Sequence, residues 1–335
     1  MLTRSVAIHH VRAALRGAAR RGADTTALLE SAGIPAALLR QDRARVSPEQ
    51  FATLIRATWL ALDDELLGFG PMPSRSGTFA MMCTLVVHSC PDLRSALRRC
   101  GDFYALFPFG PRFQLTESPA DGEAQVLFDL EGVPDPDRFV AETLMVIVHR
   151  FSGWLIRRRI ELLRAEFAYP VPAHALEYDL LFGAPCRFDA ERTALVLDRA
   201  LLDEPVVQDA EGLERFLRAA PADLLARTDF GNTTAARVRR IIGRGLPGAL
   251  PGTDEVAAAL SVSPQTLRRR LAAEGTSFQE VRDQLRRDHA VAALASGRVP
   301  IEELSRRLGF SEPSAFHRAF RRWTGSTPRS YQPGG

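Results

Sequence analysis

The chain has 335 residues, 46% of them apolar and 25% charged, which suits two globular domains with cores of ordinary size and excludes disorder at domain scale. All 43 basic residues are arginine and they are unevenly placed: residues 1–227 hold 26 Arg against 30 acids, a net −4, while residues 228–335 hold 17 against 10, a net +7. A basic C-terminal part is what contact with nucleic-acid phosphates requires. No apolar run reaches the ~18 residues needed to span a bilayer, and the stretch around His9-His10-Val11-Arg12 lacks a secretory apolar region, so no membrane association and a cytoplasmic, nucleoid-associated protein are expected.

In chain order, the spacing predicts a helix over residues 8–21 and a short one over 25–32, capped by Asp24 and interrupted by Gly33-Ile34-Pro35. Ser47-Pro48-Glu49-Gln50 puts a hydroxyl at the N-cap, proline at N1 and an amide at N3, and Phe51, Leu54, Ile55, Thr58, Trp59 and Leu62 follow at helical spacing. Helices are predicted over 76–89 and 91–106, a hairpin over 112–117 and 123–131, and a long helix over 137–160. Segments 163–169 and 194–197 complete a mixed sheet, separated by a helix near 173–181 and a turn at Gly183-Ala184-Pro185; a helix over 212–226 follows. Strands and helices alternate irregularly, so the predicted N-terminal domain, 1–227, is an α+β sensor or dimerisation domain rather than a doubly wound sheet. The boundary is placed near 228–234, where Asp229-Phe230-Gly231-Asn232 breaks the pattern and an amphipathic helix begins at Thr233.

The C-terminal domain, 228–335, reads as all-α, with two helix-turn-helix units at about 253–273 and 300–323 joined by a linker helix over about 278–295. In the first unit Thr253 is the expected cap of a helix that turns Val256 and Leu260 inward, Ser261-Val262 makes the turn, Ser263 caps the second helix and Pro264 starts it. Leu267 and Leu271 then form a buried stripe, which leaves Gln265, Arg268 and Arg269 facing outward near the helix N-terminus, the part that enters a major groove. Arginine suits the O6 and N7 of guanine and glutamine the N7 and N6 of adenine, so these three are base-reading candidates, with Ser263 and Arg270 assigned to phosphate. The second unit repeats the plan. Ile301, Leu304 and Leu308 face inward, Gly309 ends the first helix, Phe310 plugs the turn, and Ser311 and Glu312 are candidate caps. With Phe316 and Phe320 as core stripe and Trp323 beyond, Ser314, His317 and Arg318 are the second base-reading set; Ser311, Arg321 and Arg322 are assigned to phosphate. Ser277-Phe278-Gln279-Glu280 is a capping box that starts the linker helix, stopped by Ser296-Gly297.

Residues 253–331 resemble the DNA-binding domain of the AraC/XylS family of bacterial transcription regulators. The resemblance rests on Phe316-His317-Arg318-Ala319-Phe320, then Gly325-Ser326-Thr327-Pro328 and Tyr331; it departs at Gln332, where an arginine often stands. Residues ~20–205 resemble, less sharply, the arabinose-binding-type N-terminal domain of the branch that includes ornithine-utilisation and virulence regulators. The motifs are Leu28-Leu29-Glu30-Ser31-Ala32-Gly33-Ile34, Pro91-Asp92-Leu93-Arg94-Ser95-Ala96-Leu97 with Tyr104, and Tyr178-Asp179-Leu180-Leu181-Phe182-Gly183 with Cys186-Arg187-Phe188. The resemblance implies double-stranded promoter DNA and RNA polymerase as partners, usually for activation, and an N-terminal domain that binds a small-molecule effector, forms a homodimer, or both. The effector itself does not carry over.

Phe103, Tyr104, Phe107 and Phe109, with Met81 and Met82 near in sequence, are candidates to line an apolar pocket whose polar end is His88 or Arg112; the alternative is the domain's own core. The effector-pocket candidates are thus Met82, His88, Phe103, Tyr104, Phe107 and Arg112, and a small carboxylate with an apolar body is the ligand they suggest. No nucleophile elbow, His-x-x-x-His, kinase set, phosphate loop or dinucleotide fingerprint is visible, so no enzyme and no cofactor are expected. Cys83, His88, Cys90 and Cys100 contain no close ligand pair, so buried packing is expected instead of metal. A constitutive DNA-binding regulator without effector, or an enzyme domain fused to a DNA-binding domain, are the alternatives.

Overall fold

The computed structural model describes residues 5–118, 120–219, 233–245 and 250–332. Residues 228–232 of the boundary expected near 228–234, and residues 220–226 of the helix expected over 212–226, lie outside them. The chain divides into two compact units that are not a single cut in the sequence: Ala13–Asp24 with Ile55–Leu225, and Met1–Arg12 with Thr25–Leu54 and Ala226–Gly335. Helices α1 (Ile8–Arg20) and α3 (Pro48–Leu62) contribute residues to each; α2 is Thr25–Ser31. Ser47 and Gln50 form the full capping box expected of α3, with Gln50 N–H donating to Ser47 Oγ at 3.1 Å and Ser47 N–H to Gln50 Oε1 at 2.9 Å.

The unit containing 55–225 is α+β. Helices α4 (Thr78–Ser89), α5 (Leu93–Ala105) and α6 (Phe139–Leu155) accompany a five-stranded sheet ordered β3-β4-β7-β5-β6: Arg112–Ser118, Glu123–Asp129, Thr193–Asp198, Leu162–Glu166 and Cys186–Arg187. All pairings are antiparallel except β5 with β6, so the sheet is mixed, as the irregular alternation of elements predicts. The period of two is visible in the core. Ala124, Val126 and Phe128 of β4 and Leu195 and Leu197 of β7 share one apolar cluster with Met82, Cys83, Leu97, Cys100 and Phe151. Helix α5 lies so close to β3 that a Cβ on Gly101 would stand 2.6 Å from Phe113 O, which is why the smallest residue occupies that position.

The long helix expected over 137–160 is shorter at both ends. Arg138 sits in the left-handed region (φ 62°) as its N-cap, and the Asp135 carboxylate accepts from Val140 and Ala141 N–H at 3.0 and 2.9 Å, so Phe139 begins the helix. Cys83, Cys90 and Cys100 are buried free thiols of this core, and burial pushes the Cys83 and Cys100 thiols up.

His149 of α6 is buried with Nε2–H donating to Ile160 O at 2.9 Å. Burial pushes its imidazole down to about 4, opposed by that bond and assisted by Arg150 and Arg159. The folded value lies below the unfolded one, so the contribution to stability is full above the ordinary histidine value and lost as pH falls toward 4. Over that window the group should account for roughly 3 kcal/mol of acid destabilisation. Melting curves should show a smaller loss of Tm between pH 6.5 and 4 in His149→Gln than in the parent; parallel Tm–pH profiles would contradict this.

The other unit is helical beside a two-stranded ribbon of β1 (Val6–Ala7) and β2 (Arg45–Val46). Its helices are α9 (Thr234–Gly243), α10 (Thr253–Ala259), α11 (Pro264–Ala273), α12 (Phe278–Ser296), α13 (Ile301–Arg307) and α14 (Pro313–Thr324); α7 (Tyr178–Phe182) and α8 (Ala210–Ala219) belong to the first. Thr233 caps α9, accepting from Ala236 N–H at 3.2 Å, and the Glu274 carboxylate at the end of α11 accepts from Thr234 and Ala235 N–H at 2.6 and 2.9 Å. One apolar cluster unites Val238 and Ile242 of α9, Val256 of α10, Leu267 and Leu271 of α11, and Val281 and Leu285 of α12. Among the described residues no helix is long and apolar enough to cross a membrane.

Candidate nucleic-acid interface and effector pocket

The two helix pairs, α10–α11 and α13–α14, are built by the same local chemistry. In each, the residue after the first helix's C-cap is left-handed, Ser261 at φ 56° and Gly309 at φ 74°. The chain then folds back, with Val262 N–H donating to Ala257 O at 3.0 Å and Phe310 N–H to Ser305 O at 3.1 Å. Glycine takes this conformation freely, whereas serine costs about 1–2 kcal/mol. Gly252, and not Thr253, is the N-cap of α10, and its N–H donates to Glu255 Oε2 at 2.8 Å. Ser263 caps α11 as expected, accepting from Thr266 N–H at 3.1 Å, and Pro264 occupies the first turn. At α14 the N-cap is Glu312, without a side-chain cap bond, and Pro313 follows.

Helix α11 buries Leu267 and Leu271 completely and exposes Gln265, Arg268, Arg269 and Arg270. Helix α14 buries Phe316 and Phe320 completely and exposes Ser314, His317, Arg318, Arg321 and Arg322. Residues at i, i+3 and i+4 share a helix face, so Gln265, Arg268 and Arg269 form one face, and Ser314, His317 and Arg318 its counterpart. Neither helix contains an acid. Arg268, Arg269, Arg270, Arg318 and Arg321 have no ion pair among the described residues, while Arg322 lies 3.6 Å from Asp283 Oδ2. Two polar candidates are engaged locally: Ser314 Oγ donates to Glu312 Oε2 at 3.1 Å, and Ser263 Oγ lies 2.9 Å from Thr266 Oγ1 as well as capping. Ser311 is exposed in the second turn.

Behind the exposed face of α14, rings step from Phe310 to Phe316 (5.6 Å between centroids), Phe316 to Phe320 (5.7 Å) and Phe320 to Tyr331 (5.0 Å, edge-on). Ser277 caps α12 by accepting from Glu280 N–H at 3.2 Å, but the box expected there is half formed, since Glu280 Oε2 takes the Thr276 hydroxyl at 3.3 Å. Sequence reasoning missed what α12 rests on. The buried Asp288 faces Ser5 and Arg45, and Arg45 N–H donates to Tyr331 OH at 3.1 Å. Polar residues so far apart in sequence carry no periodic signal.

In the α+β unit, Met82, Tyr104, Phe107 and Arg112 line one cavity of about 180 Å³. His88 and Phe103 are not among its lining residues: His88 is exposed and Phe103 packs on the core. Six residues separate Met82 from His88 on one helix, a rotation of about 240°, so the two point to different sides. Phe109 also lines the cavity, and Met81 is exposed. Trp59, Glu65, Phe79, Phe113, Ile147 and Phe151 line it without having been anticipated, because they come from separate elements.

Residues 22–206 match the family described as the arabinose-binding domain of AraC transcription regulators, N-terminal, and residues 256–333 match a helix-turn-helix domain family. The chain is 28% identical over 329 residues to the ornithine utilization regulator of Pseudomonas aeruginosa, covering 98% of this chain and 96% of that protein. It is 26% identical over 324 residues to the HTH-type transcriptional regulator VirS of Mycobacterium tuberculosis, covering 93% and 91%. Among solved structures, the transcriptional regulator CdpR of Pseudomonas aeruginosa is similar at 23% identity with a TM-score of 0.31, covering 85% of this chain and 86% of that one. With two helix-turn-helix units behind an arabinose-binding-type domain, the chain belongs to the AraC family and is a DNA-binding transcriptional regulator.

Proposed function

We propose that α11 and α14 read bases in successive major grooves of promoter DNA, ~34 Å apart along the duplex. The observation that supports this best is the pair of acid-free helices whose buried stripes leave outward arginines that have no ion pair among the described residues: Arg268 and Arg269 on one, Arg318 on the other. Gln265, Ser314 and His317 complete the base-reading faces. Arg270, Arg321 and Arg322, with Ser263 and Ser311, contact phosphate. Gel-shift titration of the full-length protein on its promoter tests the division. Arg268→Ala or Arg318→Ala should each cost about 1–3 kcal/mol and relax preference at one or two base pairs. Arg321→Ala should weaken all sequences alike and flatten the dependence of log Kd on log salt by about one ion. If both kinds of variant lost affinity in the same way, the face assignment would be wrong.

The N-terminal domain is the control element in this reading, taking a small effector in the cavity and setting the dimer state or the orientation of the readers. The outcome is activation through contact with RNA polymerase. The apolar cavity favours effector control over a constitutive regulator, and a footprint identical with and without every metabolite supplied would overturn it.

A further inference from the structure

The cavity of the α+β unit has a chemistry that narrows what can fill it. Its walls are aromatic and aliphatic, and among the described lining residues only Glu65 and Arg112 are charged. Arg112 is exposed to solvent, whereas Glu65 is half-buried at the start of α4. Its two carboxylate oxygens accept from Gly77 and Phe79 N–H at 2.7 and 2.8 Å, which fixes the group in place and leaves each oxygen able to accept once more. Burial raises the Glu65 carboxyl above its ordinary value in spite of those bonds, with Asp64 and Asp63 adding to the rise, and among the described residues it has no ion pair.

Two further polar groups stand on lining residues. Trp59 Nε1 is buried without a hydrogen-bond partner among the described residues. The Tyr104 hydroxyl is held neutral by burial and, second, by Glu65, and its ring meets Phe107 and Phe113 at 6.3 and 6.2 Å. Aromatic side chains beside one half-buried acid are the setting in which a cation is held by ring quadrupoles and countercharge together.

Size sets the other limit. About 180 Å³ is slightly more than the ~150 Å³ cavity that holds benzene and below the ~300 Å³ at which drug-sized sites begin. One ring or a short branched chain with a one-carbon polar arm fits that volume.

We infer that the effector site takes a small primary amine with an apolar body, its ammonium on Glu65 and its body among Phe79, Phe107, Phe113 and Phe151. This rests on the reading of the cavity as an effector site and replaces the carboxylate that the arginine-rich sequence suggests, because of the two charged lining residues Glu65 is the half-buried one and Arg112 is exposed to solvent. The test is calorimetric titration of the full-length protein at pH 7 with three probes of one shape: benzylamine, benzyl alcohol and benzoate. Benzylamine should bind at least tenfold more tightly than benzyl alcohol, and benzoate more weakly than either. Glu65→Gln should bring benzylamine down to the affinity of benzyl alcohol while leaving the alcohol unchanged. Should that variant fail to fold, because Glu65 also holds the start of α4, the three-probe series on the parent protein decides alone. Benzoate or the alcohol equalling the amine, or Glu65→Gln leaving the amine unaffected, overturns the amine class and leaves the effector reading standing. No uptake of any of the three overturns both.

Discussion

Replacing Asp288 with alanine is expected to cost about 3–5 kcal/mol of the stability of the helical unit, the range for removing one partner from a buried charge cluster. Asp288 is 5% exposed on the linker helix α12, and Arg45 is 4% exposed on β2. The Asp288 carboxylate accepts from the Ser5 hydroxyl and from Arg287 Nη2 at 3.1 Å, and lies 3.9 Å from Arg45 Nε. Arg45 in turn donates to Ser5 Oγ at 2.6 Å and Ser5 O at 2.8 Å. One carboxylate therefore offsets guanidinium groups from both ends of the chain, in a place where water screens little. Asp288→Asn keeps the shape and an acceptor but loses the charge, so it should fall between the parent and Asp288→Ala. Urea unfolding followed by circular dichroism measures this. A cost under about 1 kcal/mol would show that the cluster fills space without stabilising the unit.

Phe320→Ala should cost a similar ~3–5 kcal/mol, as expected for emptying a fully buried aromatic site. Its ring supports Phe316 on one side and Tyr331 on the other, and these hold the face that carries His317 and Arg318. The core under α11 is a different cluster, built on Leu267, Leu271, Val256 and Val238. The loss should therefore be local. Base preference assigned to Arg318 should disappear while that assigned to Arg268 survives, and Phe320→Leu should do less damage. Loss of both preferences together would mean that the two helix pairs fold as one cooperative block.

Where capping chemistry and apolar stripes coincide, the sequence is readable to within a residue or two. Ser47 with Gln50, Ser263 with Pro264, and Ser277 all start the helices they were expected to start. The outward faces of α11 and α14 follow from the position of their stripes, Leu267 and Leu271 in one and Phe316 and Phe320 in the other. Contacts without a local signature are different. The ribbon of β1 and β2 is two residues per strand, too short for any period, and the Ser5, Arg45 and Asp288 cluster joins positions that share no pattern. The start of α6 depends on Asp135 reaching forward to two backbone amides, with Arg138 left-handed between them. The cavity shows the same limit. Tyr104 and Phe107 are three residues apart, at and just beyond the end of α5, and were legible together, whereas Trp59 and Glu65 reach it from elsewhere in the chain.

Whether two separate helix faces read one promoter is decided by hydroxyl-radical and methylation footprinting of the parent, Arg268→Ala and Arg318→Ala on the same DNA fragment. Two protected segments one helical turn apart are expected, with each variant losing guanine protection in a different one. A single protected segment, or the same guanines lost in both variants, would contradict it.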